Sequence, residues 1–135
     1  TDGKKTIEIA KWIKRDLINL GIDLTLKEVK YEEQEAWERE LSSGKYHMLL
    51  MGYKATSWGS EEAKADTVKL LYPLFHSGGS ANFTFYSNSR VDELLDQLES
   101  IDISLSSMRE GKLKEINRVL LEDPPTVNLF YITKL

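Results

Sequence analysis

Apolar residues recur along the chain with two different periods. Over residues 5–20, Ile9, Ile13, Leu17 and Leu20 are spaced by fours and a three, which places them on one face of a helix. Gly21 follows where a left-handed C-terminal cap belongs. Ile22, Leu24 and Leu26 then alternate with Asp23, Thr25 and Lys27, which predicts a half-buried strand over 22–29. Residues 31–43 return to helical spacing, with Tyr31, Trp37 and Leu41 in an apolar stripe and Ser42-Ser43-Gly44 as the stop. Residues 46–53, Tyr-His-Met-Leu-Leu-Met-Gly-Tyr, are almost unbroken in apolar character and predict a central strand covered on both faces.

Beyond a loop at 54–65, a short helix is predicted over 66–76, carrying Leu70, Leu71, Leu74 and Phe75. Pro73 should kink it or end it early. Gly78-Gly79-Ser80 is a breaker, and 82–86 is short and extended. Ser87 or Ser89 can cap a helix over 90–100 that buries Val91, Leu94, Leu95 and Leu98. A further helix over 106–122 carries Met108, Leu113, Ile116, Leu120 and Leu121, and Asp123-Pro124-Pro125 stops it. Residues 126–132 read as a last apolar strand. This order predicts a single α/β domain over 1–135, with a mainly parallel sheet flanked by helices. An alternating domain usually opens on a strand. This one opens on a helix, so a first strand supplied from upstream is expected.

Composition adds exclusions. The chain has 135 residues, is 41% hydrophobic and 30% charged, and carries a net charge of −4. That balance suits a soluble globular domain and argues against nucleic acid or an anionic membrane as partner. There is no cysteine, which removes disulfides, thiolate metal sites and cysteine nucleophiles. No apolar run is long enough to span a membrane, and no signal peptide is visible.

Several segments resemble a known family. Ile9 to Leu26 is similar to a helix leading into "L-x-x-x-G-I-x-v-x-l". Gly44-Lys45-Tyr46-His47-Met48 is similar to "g-x-y-D-m". Asn82 to Leu95 resembles "N-x-x-x-Y-x-n-x-x-v-D-x-L-L". Asp102 with Arg109, then Ile116, Leu120 and Asp123 to Leu129, resembles "D-x(6)-R … I … L … D-x-P-x-v-x-L". The family is the extracellular solute-binding proteins of family 5, the receptors of ABC importers for oligopeptides, dipeptides, nickel complexes or oligosaccharides. The resemblance implies the C-terminal lobe of a two-lobed receptor, of the type II periplasmic-binding-protein fold, lacking its first strand. It also implies a periplasmic or extracytoplasmic location, compatible with a lipid anchor on the full-length protein. The implied partners are a peptide or other small solute, the ABC permease subunits, and the N-terminal lobe of the same protein.

The candidate ligand-binding residues follow from the same placement. Loop 53–62 leaves the C-terminal end of the predicted central strand, the edge where open α/β sheets bind ligands. It offers Tyr53, Thr56, Ser57 and Trp58. The family often has "W-x-x-D" here, whose Asp pairs with a peptide's amino terminus. Thr56 at the matching position has no charge to offer, and Glu61 and Glu62 are the nearby substitutes. Trp58 stacks on a ligand or packs on the cleft wall. Asn82 and Tyr86 either brace the cleft loops by hydrogen bonds or serve turn and core.

The remaining polar residues read as structural. Asp92 caps or charges the first turn of its helix. Asp102 and Arg109 form an ion pair or a cap. His47 is a buried strand residue, and His76 ends a helix. The glutamates Glu32, Glu33, Glu35, Glu38 and Glu40 make a solvated helix face. No metal, cofactor or catalytic group is expected, and the function read from the sequence is solute binding. The rival readings are a small hydrolase using Asp66 or a glutamate, and a non-binding interaction domain of a larger regulator.

Overall fold

The computed structural model describes residues 2–30, 34–51 and 67–129. Among these it has five helices: α1 (Asp2–Asn19), α2 (Gln34–Leu41), α3 (Thr67–Phe75), α4 (Ser89–Ser100) and α5 (Ser106–Glu122). The chain forms two compact units, Thr1–Lys54 and Ala55–Leu135.

The described residues contain no strand, so the predicted α/β fold is replaced by an all-helical one. Residues 22–30 and 45–51 have no sheet partner, and the described part of the predicted last strand, 126–129, has none either. Several of the apolar side chains that motivated those strands are exposed. Ile22 is 49% exposed, Leu26 44%, Met48 58% and Val127 83%. Alternation alone does not make a strand. It needs a neighbour to complete its ladder, and two strands without further support are marginal in water. His47, expected in a buried strand, is accordingly exposed.

In the first unit, α1 ends as its sequence demands. Gly21 has φ +80°, its N–H donates to the Ile18 carbonyl (2.9 Å), and the Ile22 N–H reaches back to Leu17 (2.9 Å). This pair of bonds is a Schellman cap, which a side chain with Cβ would strain. Ile9, Ile13 and Leu17 are half-buried, whereas Leu20 lies past the helix end and is 76% exposed. Leu41 on α2 is the one buried apolar side chain described here. Glu40, placed by its sequence on a solvated face, is instead the centre of a polar staple. Lys27 Nζ lies 2.5 Å from its carboxylate and 5.3 Å from the centre of the Tyr46 ring, and the Tyr46 hydroxyl donates to the same carboxylate oxygen. The hydrogen bonds from Lys27 and Tyr46 pull the Glu40 carboxyl down to about 2.

The second unit holds the core. Val68, Tyr86, Val91, Leu94, Leu95, Leu98 and Ile116 are buried together, with Leu71, Tyr72, Phe75, Leu113, Val119 and Leu120 packed against them. The α4 stripe is as its sequence predicts: Val91, Leu94, Leu95 and Leu98 are each at most 1% exposed. On α5 the buried face is Arg109, Leu113, Ile116 and Leu120. Met108 and Leu121, also expected inside, are 57% and 73% exposed because they lie off that stripe. Pro73 does not stop α3, which continues to Phe75. Pro73 lacks the N–H that would bond the Lys69 carbonyl, so α3 forgoes one ladder bond near its C-terminal end.

Candidate functional site

Tyr53, Thr56, Ser57 and Trp58 lie outside the described residues, as do Glu61, Glu62 and Asp66. Asn82 and Tyr86 lie in the loop between α3 and α4. That loop was expected to be extended over 82–86; it is a series of turns.

Asn82 organises it. Its side-chain amide donates to the carbonyls of His76 (3.1 Å) and Tyr86 (2.8 Å). Its amide oxygen accepts from the Tyr86 N–H and from the Thr84 hydroxyl, both at 3.0 Å. Both amide hydrogens and two lone pairs are therefore used, and the side chain has nothing left for a ligand. Within this turn Phe85 has φ +55°, and the residue is 61% exposed.

The start of the loop is fixed just as tightly. Gly79 lies against the end of α3. An added Cβ would sit 2.3 Å from the Pro73 carbonyl oxygen and 2.7 Å from that of Tyr72. The buried Ala81 donates its N–H to the same Pro73 carbonyl (2.9 Å). The far end is capped by Asn88, whose side chain accepts from the N–H groups of Arg90 (3.0 Å) and Val91 (3.3 Å). The cap is thus neither Ser87 nor Ser89. Asn88 does the same work with an amide oxygen at the position between them. Asp92 accepts from the Ser77 N–H (2.8 Å) and ties the first turn of α4 back to the loop.

Tyr86 is 9% exposed, and its hydroxyl has no hydrogen-bond partner of acceptable geometry among the described residues. Burial pushes the phenol's pKa up and the Asp123 charge adds to this; an interaction with Asn88 opposes it without closing into a bond. Asn82 and Tyr86, put forward as ligand-binding residues, thus serve the loop and the core.

An open cleft of about 370 Å³ lies elsewhere in the second unit, between α3 and the α4–α5 link. Val68, Lys69 and Tyr72 of α3 form one wall, and Glu99, Ile101 and Ile103 line the other. Arg109, 7% exposed, closes the floor. Its guanidinium donates to the carbonyls of Leu98 (3.1 Å) and Ile101 (2.7 Å), so it caps the C-terminal end of α4. Asp102 accepts from the Ser104 hydroxyl (2.6 Å) and N–H (2.8 Å). Those two bonds, with a smaller contribution from the Arg109 charge, lower its pKa.

Tyr72 is fixed in the cleft wall. Its ring stacks on His76 with centroids 4.2 Å apart, and its hydroxyl donates to Asp96 (3.1 Å). His76 Nδ1 accepts from the Gly78 N–H (3.0 Å), so the neutral ring carries its proton on Nε2, which faces Asp96 at 3.4 Å. Partial burial, then the Asp96 hydrogen bond, then the charges of Asp96, Glu99 and Asp92 raise the Tyr72 phenol.

Sequence reading gave Asp102 and Arg109 a structural role, as an ion pair or a cap; Arg109 caps α4, and Asp102 holds the turn at Ser104. That reading passed over Lys69, Tyr72 and Glu99, because nothing in the apolar run around Tyr72 marks it as a surface of a cleft. Among the described residues no group of acidic or histidine side chains is placed to hold a metal, and no helix is long and apolar enough to cross a membrane. No protein-family model, curated protein or solved structure matches the chain.

Proposed function

We propose that the chain is a solute-binding, non-catalytic part of an ABC-importer receptor. It would act outside the cytoplasmic membrane on peptides or related small solutes, closing on them with a partner lobe and delivering them to a permease. The observation that carries this reading is the block Asn82–Leu95, the most specific part of the resemblance to the family 5 receptors. Each of its marked positions has a distinct physical task. Asn82 spends its whole amide on the loop, Asn88 caps α4, Asp92 ties that helix to Ser77, and Leu94 and Leu95 fill the core. A motif whose members interlock is a folding unit, not a chance coincidence of residue types. The reading rests on this block and not on the architecture, which is helical throughout the described residues.

The test is mass spectrometry of solute co-purified with the full-length protein that carries this chain, followed by thermal shift with the candidates. A solute present at 100 times its Kd should stabilise by about 2.7 kcal/mol. A full-length protein that captures nothing, and is stabilised by none of a panel of peptides, oligosaccharides and nickel chelates, would end this reading.

A further inference from the structure

We propose that His76 is a proton-operated switch for the turn that follows α3: when its ring takes up a proton, the Ser77–Gly78 peptide turns over. His76 to Gly79 form a β-turn closed by the Gly79 N–H on the His76 carbonyl (2.8 Å). Within it the Gly78 N–H points back at the ring and donates to Nδ1 (3.0 Å). That bond needs the lone pair of a neutral imidazole. An imidazolium carries a proton on each nitrogen, so its Nδ1–H and the Gly78 N–H would meet as two donors.

The peptide yields and the ring stays. The ring is partly buried and stacked on Tyr72, and its Nε2 lies 3.4 Å from Asp96, a contact that a positive charge tightens. The titratable groups around it are Tyr72 on its own helix and three carboxylates of α4. Asp96 faces Nε2, Asp92 accepts from the Ser77 N–H (2.8 Å), and Glu99 is near enough for its charge to act on Tyr72. These carboxylates supply the counter-charge for an imidazolium. The ends of the turn are pinned as well, Ser77 by Asp92, and Gly79 by the His76 carbonyl and its close approach to Pro73. The central peptide is left to move. Turning it over keeps the closing bond, gives a type II turn, and presents the Ser77 carbonyl to the new Nδ1 proton. A type II turn needs a φ of about +80° at its third residue. That residue is Gly78, whose φ now lies outside the left-handed region and which can enter it without a Cβ penalty. Each state thus satisfies Nδ1 with one hydrogen bond, and the proton decides between them.

The test is an NMR titration of the chain from about pH 8 to pH 5, the range in which histidine ordinarily changes charge. The Gly78 amide should shift with the same midpoint as the His76 ring. The NOE from the Ser77 amide proton to the Gly78 amide proton should give way to one from the Ser77 Hα. His76→Asn keeps an acceptor for the Gly78 N–H, as an Asx turn, but takes up no proton, so the response should be lost. Gly78→Ala makes only an ordinary Cβ contact with His76 (3.4 Å) but opposes a positive φ, so it should suppress the NOE change while the ring still titrates. Circular dichroism and the melting temperature show whether the variants fold, and the titration of the unsubstituted chain decides the matter without them. The proposal is overturned if the ring titrates while the Gly78 amide and its NOEs stay unchanged, or if the ring takes up no proton in this range. A full NOE change in either folded variant overturns it too.

Discussion

Replacing Gly79 with alanine tests the geometry of the α3–α4 loop at its tightest point. The new Cβ would lie 2.3 Å from the Pro73 carbonyl oxygen, 2.7 Å from its carbon and 2.7 Å from the Tyr72 oxygen. These are backbone atoms at the end of a helix packed on the core, so neither side can turn away. Relief requires the loop to move out by about 1 Å, and forcing excess volume into packed structure costs about 1–3 kcal/mol. The move also stretches the bond from the Ala81 N–H to Pro73. Ala81 is 3% exposed, so that donor has no ready access to water. An unsatisfied buried donor costs a further 1–3 kcal/mol or so. A loss of about 3 kcal/mol is therefore expected, which for a unit of this size lowers the melting temperature by about 12–24 °C.

Two other glycines calibrate the effect. Gly78→Ala brings its Cβ only to 3.4 Å from His76 Nδ1, an ordinary contact, and should change stability little. Gly111, inside α5, has nothing within 4 Å of an added Cβ, so alanine there should stabilise by up to about 1 kcal/mol. Thermal and urea unfolding followed by circular dichroism at the helical band would rank the three. If Gly79→Ala melts no lower than Gly78→Ala, the close approach of loop to helix is wrong, and the placement of Asn82 falls with it.

The other expectations concern single polar groups. Asn82→Leu removes four hydrogen bonds and strands the Tyr86 N–H, so it should destabilise by about 2–4 kcal/mol in urea unfolding; a change below about 1 kcal/mol would contradict the clamp. Tyr86→Phe deletes a buried hydroxyl without a partner among the described residues, and should be neutral or stabilising by about 1 kcal/mol; a loss above about 1 kcal/mol would mean that the hydroxyl is bonded after all. Glu40 should titrate near 2 by carboxyl-carbon NMR. Because its folded pKa lies below the ordinary value of 4.5, the staple's contribution is whole above pH 4.5 and disappears as the pH falls towards 2. A midpoint near 4.5, or one unmoved by Lys27→Met, would contradict the geometry.

Helices proved legible in this sequence and sheets did not, and the difference is one of range. A helix closes its hydrogen bonds four residues away, so α4 could be read from Val91, Leu94, Leu95 and Leu98, and α1 from its Ile9–Ile13–Leu17 stripe with Gly21 behind it. A strand has no stability of its own. The alternation Ile22, Leu24, Leu26 and the apolar run at 46–51 say only that these residues are suited to a sheet. Nothing local supplies the neighbour, and in this chain both segments stay irregular. On α5 the error was smaller and had another cause. Met108 and Leu121 were grouped with Leu113, Ile116 and Leu120 by hydrophobicity, though each lies off the face that meets α4. The residue that does continue this face is Arg109, an arginine no hydrophobic pattern would select, buried because two backbone carbonyls at the end of α4 accept its guanidinium protons.

The same distinction decides what the site residues mean. Asn82 and Tyr86 were marked by a motif, and a motif does not say whether a polar side chain faces a ligand or its own backbone. Counting valences does. Asn82 has two amide hydrogens, both donated to carbonyls of its own loop, and its oxygen accepts twice from the same loop.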